Sequence, residues 1–112
     1  MFSTRDFVTA GINVLGAIDA LEGALARATS GADSICVTEH EKDLICMGIV
    51  DARFVLSTHG LQADKVLTLL TIRLASSLEV SRTKALSALS ELRTVEALAA
   101  VDAKANLQAI AA

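Results

Sequence analysis

Apolar residues recur at intervals of three and four along almost the whole chain, and this rhythm is interrupted at only three places. A spacing near 3.6 keeps side chains on one face of a helix, whereas a half-buried strand needs strict alternation. The interruptions fall at residues 30–37 (SGADSICV), at His59-Gly60 and at Glu79-Val80-Ser81. Four helices are expected as a result, at about residues 4–29, 39–58, 62–78 and 82–109, in one domain covering residues 1–112. With no Pro, Trp or Tyr and with 53% hydrophobic residues, chiefly Ala and Leu, the chain suits helices and disfavours a sheet rich in β-branched and aromatic side chains. The expected fold is all-α, either a four-helix bundle or a helical dimer. A core of small side chains buries little area per residue, so a homo-oligomer is expected as well.

The first helix is expected to take Ser3 or Thr4 as its cap and to end at Ser30-Gly31, with Phe7, Val14, Ile18, Leu21 and Leu25 forming its stripe. Beside them Gly16, Ala20, Ala24 and Ala28 repeat every four residues and allow a second backbone to approach. Thr38-Glu39-His40-Glu41 has the spacing of a capping box, which starts a second helix with Ile45, Ile49, Ala52 and Leu56 inward. The competing arrangement is a hairpin of residues 34–38 with residues 44–50. In the third helix Val66, Leu70, Leu74 and Leu78 form a stripe that Leu67, Leu69 and Ile72 widen, so it must be covered on more than one side. The last helix carries Leu92, Val95, Ala99, Ala103, Leu107 and Ile110, a stripe suited to pairing with a copy of itself.

Residues 74–92, LASSLEVSRTKALSALSEL, have the apolar skeleton of a helix-turn-helix. Leu74, Ala75 and Leu78 face inward from the first helix, Val80 fills the turn, and Ser81 caps a second helix whose inward positions are Ala85, Ala88, Leu89 and Leu92. Leu74-Ala75, Leu78, Val80-Ser81-Arg82-Thr83, Ala88-Leu89 and Glu91-Leu92 make this stretch, about nineteen residues, resemble the helix-turn-helix of bacterial transcription regulators. Glu79 stands where that pattern has the turn glycine, and Ala85 where it has Val or Ile. A continuous helix from Asp64 onward is therefore the alternative to a turn. The resemblance implies double-stranded DNA as partner and a homo-oligomeric transcriptional regulator as function. Ser81 would present the helix, Arg82 and Lys84 would reach phosphate or guanine, and Thr83 and Ser87 would touch backbone or base edges. Residues 93–112 lack strand alternation, so no wing is expected.

The net charge of −3 does not by itself favour DNA, but its distribution does. Residues 1–64 carry −5, residues 65–93 carry +3 through Lys65, Arg73, Arg82, Lys84 and Arg93 against Glu79 and Glu91, and the remainder carries −1. Phosphate contact needs such a basic segment, although scattered cations are also ordinary solvated surface.

Cys36, His40, Cys46 and His59 fall within 24 residues, yet match no familiar zinc spacing. Two reduced, buried thiols and no bound metal are expected. His40 followed by Glu41 resembles faintly the phosphoacceptor histidine of two-component signalling bundles, and His59 suits a helix C-terminus. No nucleophile elbow, phosphate loop or cofactor motif occurs, so neither an enzyme nor a cofactor is expected. The chain has no secretory signal and no uninterrupted run of about eighteen apolar residues, which reads as cytoplasmic with no membrane partner. The rival to the DNA reading is a non-enzymatic structural or scaffold protein that self-assembles through Ala-rich helices.

Overall fold

In a computed structural model the backbone is described for residues 4–111 and the side chains for residues 6–108. The chain is all-α, with a two-stranded ribbon added: α1 (Thr4–Arg27), β1 (Ser34–Cys36), α2 (Glu39–Thr58), α3 (Lys65–Ser76), β2 (Glu79–Ser81) and α4 (Arg82–Ala111). Of the two caps expected for α1, Ser3 lies outside the described residues and Thr4 is the first helical residue.

Helix α1 is the axis of the molecule and packs along both α2 and α4. The small-residue ladder explains how closely α2 approaches. Gly16 lies beside Leu44 and Gly23 beside Glu41, while Ala20 and Ala24 are buried. From the other side Gly48 of α2 presses onto Ala17 and onto the Asn13 carbonyl, which a Cβ there would meet at 2.9 Å. Asn13 Nδ2 donates to Asp51 Oδ2 at 2.6 Å, and the rings of Phe7 and Phe54 stack with centroids 5.6 Å apart. The ladder thus serves packing inside one chain.

Helix α2 starts with the expected capping box. The Glu41 N–H donates to Thr38 Oγ1 at 3.1 Å and the Thr38 N–H donates to Glu41 Oε1 at 2.8 Å. Arg27 closes a two-pronged pair on the same carboxylate, at 2.7 Å for Nη1, and reaches the Cys36 carbonyl at 3.3 Å. The Arg27 hydrogen bonds, followed by those from Thr38, outweigh desolvation and hold the Glu41 carboxyl down at about 2. One acidic residue so ties the end of α1, strand β1 and the start of α2 together.

Helix α3 is shorter than the expected span of residues 62–78 at both ends. Asp64 caps it by accepting the Val66 N–H at 2.9 Å, while the Asp64 N–H donates to Glu91 of α4 at 3.1 Å. Leu67, Leu70 and Leu74 are buried, but Leu69 and Ile72 remain exposed, so the broad apolar surface is covered on one side only. Ala75, expected inward, is exposed.

The connector at residues 30–37 holds a strand that pairs neither with residues 44–50, which are helical, nor within itself. It pairs antiparallel with β2, in the register Ser34 to Ser81, Ile35 to Val80 and Cys36 to Glu79. Ile35 and Val80 point into the core. Helix α1 holds no uninterrupted apolar run of about eighteen residues, because Asp19 and Glu22 break it, but its average is apolar. Residues Asp6–Arg27 are long and apolar enough on average, at a mean hydropathy of 1.3, to cross a membrane by length and composition, and 39% of that window is buried inside the protein.

Candidate nucleic-acid interface

The path of the chain between α3 and α4 decides what the basic segment can present. The helix stops at Ser76, Ser77 turns extended at φ −159° and ψ 144°, and the Glu79 N–H donates to Ser77 Oγ at 3.2 Å. No non-glycine residue has positive φ among the described residues, so Glu79 reverses the chain without left-handed backbone. Extended geometry leaves backbone groups that need partners, and the connector supplies them. The Val37 N–H donates to the Leu78 carbonyl and the Arg82 N–H to the Asp33 carbonyl, both at 2.8 Å. The helix is therefore not continuous from Asp64, and five non-helical residues, 77–81, with a bend at Leu78 followed by β2, join α3 to α4.

This junction places the expected site residues as follows. Ser81 ends β2 half-buried and accepts the Lys84 N–H through its hydroxyl at 3.5 Å, a long cap bond. Arg82 is half-buried at the first position of α4, and Thr83, Lys84 and Ser87 are exposed on its first two turns. Ala85, Ala88, Leu89 and Leu92 are buried beneath them, as their spacing predicted. Leu78 is partly buried and packed on the same core.

One neighbour of the expected site residues was not assigned to them from the sequence. Arg73, in the last turn of α3, joins Lys84 on the wall of an open cavity of about 490 Å³ between α3, the ribbon and the start of α4. Asp33, Ser34, Glu79 and Ser81 line the same cavity. Ser34 Oγ donates to Glu79 Oε1 at 2.5 Å, so that carboxylate faces the ribbon. The composition marked Arg73 as one cation among five; only the ribbon brings it beside Lys84, and nothing in residues 34–36 names residues 79–81 as their partner.

The cations divide by position. Arg27 pairs with Glu41, Lys42 with Glu39 and Asp43, and Arg93 with Glu22 at 3.1 Å. His59 Nε2 lies 2.9 Å from Asp102. Arg53, Lys65, Arg73, Arg82, Lys84 and Lys104 have no acidic partner among the described residues, and four of these six lie on α3 and the first turn of α4. Glu91, at the edge of this surface, is pushed above its usual value by burial.

The four soft ligands do not assemble. Cys36 is exposed on β1, His40 is exposed in the first turn of α2, and Cys46 is half-buried, its thiol pushed up by desolvation. No group of three or more potential metal ligands forms among the described residues. Comparison with family models, with curated proteins and with solved structures returned no match.

Proposed function

We propose that the chain is a small, homo-oligomeric protein that binds double-stranded DNA through the α3–α4 edge, with transcriptional regulation as the role that such binding would serve. The observation that carries the reading is the set of unpaired cations at one junction. Arg73, Arg82 and Lys84 surround the start of α4 without acidic partners among the described residues, while the hydroxyls of Thr83 and Ser87 share the exposed face. An unpaired guanidinium or ammonium can release phosphate counterions on binding, whereas a cation already closed on a carboxylate would first have to break that pair. The start of a helix adds its own positive end toward the same surface.

The test is the double variant Arg82→Ala/Lys84→Ala in duplex titrations at several salt concentrations. It is expected to weaken binding and to lower the salt slope by about 2, leaving helicity unchanged. Unchanged affinity and slope would overturn the assignment of this face. A different observation favours the second reading, a self-assembling structural protein. Val8, Ile12 and Leu15 on α1, with Val101 and Leu107 on α4, are large apolar side chains left on the surface. That reading predicts concentration-dependent assembly and no salt-sensitive duplex binding.

A further inference from the structure

The apolar residues left on α1 are not scattered. Val8, Ile12 and Leu15 are 46, 63 and 43% exposed and lie on one face by their spacing of four and three. Asp19 and Glu22 continue that strip toward the other end of the helix. Beside it runs the outer strip of α4, where Arg93, Ala97, Ala100, Lys104 and Leu107 are exposed. The two helices are antiparallel and in register, because Gly11 lies against Ala99 and Glu22 reaches Arg93. Between the strips is a groove of about 240 Å³ with Gly11, Ala99, Ala100 and Ala103 in its walls, together with the half-buried Glu96. The surface thus has a ridge of large apolar residues ending in acids, next to a shallow run of alanines between two cations.

We infer that a second copy of this chain covers the α1–α4 face, related by a two-fold axis parallel to the helices. Such an axis lays α1 of each copy over α4 of the other at the same level, since the rotation preserves position along the axis. Ile12 then meets the alanines at positions 97 and 100 of the second copy, and Val8 lies between Ala100 and the Lys104 stem. Asp19, which has no ionic partner among the described residues, comes beside Arg93 of the second copy. Large side chains fill small-residue surface and acids face cations, twice over, as an isologous contact requires. An axis perpendicular to the helices would instead set large on large along α1, small on small along α4, and Arg93 opposite Lys104.

The size of the face agrees with a modest dimer. The 24 residues of α1 span about 36 Å, and two helices side by side are about 20 Å wide, which gives about 700 Å² per copy against the roughly 800 Å² of a standard interface. The parallel arrangement also brings both α3–α4 junctions to the same end of the pair. In a molecule only 22 Å across its second axis, equivalent points on the two copies are then spaced on the scale of the one-turn, about 34 Å separation of half-sites on a duplex.

This inference rests on the homo-oligomeric part of the proposed function and not on its DNA part, so it is tested without DNA. Sedimentation equilibrium of the full chain is run at about 100 µM, well above the micromolar range expected of such an interface. The wild type is expected to show twice the 11.7 kDa mass of one chain. Ile12→Glu is expected to sediment as a monomer with an unchanged far-ultraviolet spectrum, because that side chain is already exposed in the single chain. Asp19→Arg is expected to weaken the dimer, and adding Arg93→Glu with Glu22→Arg, which keeps the Arg93–Glu22 pair within each chain in reversed form, to restore it to within about threefold of the wild type. A monomeric wild type overturns the inference and leaves the face to a lipid surface or a different protein, which binding of the monomer to lipid vesicles would separate. A dimer that survives Ile12→Glu overturns it as well, and a charge swap that fails to restore affinity overturns the parallel axis. Failure of duplex binding, by contrast, leaves the inference standing.

Discussion

Where α1 meets α2, Gly48 sits on the backbone of the facing helix, Asn13 closes on Asp51, and Arg27 closes on Glu41. Where α3 meets α4, the chain leaves the helix through residues 77–81, and the exposed Arg73 and Lys84 with the half-buried Arg82 have no acidic partners among the described residues. The first region closes its charged groups on one another, whereas the second leaves these three cations without acidic partners among the described residues. On the proposed reading, the contrast places stability and binding in different parts of a chain of 112 residues. Substitutions at the α1–α2 seam should move the unfolding free energy and spare ligand binding, whereas substitutions at the α3–α4 edge should do the reverse.

The largest expected effect is at Gly48. A Cβ there meets the Ala17 side chain and the Asn13 carbonyl, which is backbone and cannot rotate away. Gly48→Ala is expected to cost about 3 kcal/mol despite the better helix propensity of alanine, measured by chemical denaturation. Gly11 supplies the matched control, because a Cβ there makes ordinary contact with Ala99 at 3.7 Å. Gly11→Ala is expected to stabilise by up to about 0.8 kcal/mol. If the two substitutions behave alike, backbone approach is not what distinguishes the seam.

A smaller effect follows from Glu41. Its carboxyl is held at about 2 against 4.5, chiefly by the Arg27 hydrogen bonds. A carboxylate whose pKa is lowered on folding contributes stability that is complete above the unfolded value and is lost as pH falls through the folded one. Glu41→Gln is therefore expected to cost about 1 kcal/mol near neutrality. The difference from wild type should close between pH 4.5 and about 2 in thermal unfolding. A difference that stays constant over that window would mean that the charge of Glu41 contributes nothing.

How far the sequence foretold these regions depends on how local their signals are. The capping box at Thr38 and Glu41, the inward set Ile45, Ile49, Ala52 and Leu56, and the buried positions Ala85, Ala88, Leu89 and Leu92 were all legible. Each is set by spacing within one helix. The start of α3 was missed by three residues, although Asp64 is an ordinary cap signal. The ribbon was legible only in part, since the sequence allowed a strand at residues 34–38 but with residues 44–50 as its partner. Residues 34–36 and 79–81 are 45 apart in the chain, each is three residues long, and neither carries a turn signal that names the other. The stripe on α4 was read correctly as a stripe and assigned the wrong partner: Leu92, Val95 and Ala99 are buried against α1, Leu107 is exposed, and the Ile110 side chain lies outside the described residues. Sequence periodicity fixes which face is apolar but not which helix covers it. Of the proposed site residues, Ser81, Arg82, Thr83, Lys84 and Ser87 were named from the pattern, while Arg73 needed the fold to bring it to Lys84.

The central claim is that the unpaired cations of the α3–α4 edge bind duplex DNA, and the most direct measurement is fluorescence anisotropy of the wild-type protein against a labelled mixed-sequence duplex as salt is raised. Three phosphate contacts from Arg73, Arg82 and Lys84 predict that log affinity falls against log salt with a slope of about −3 per chain. No binding at low salt would contradict the claim and move the assignment to the self-assembling helical protein.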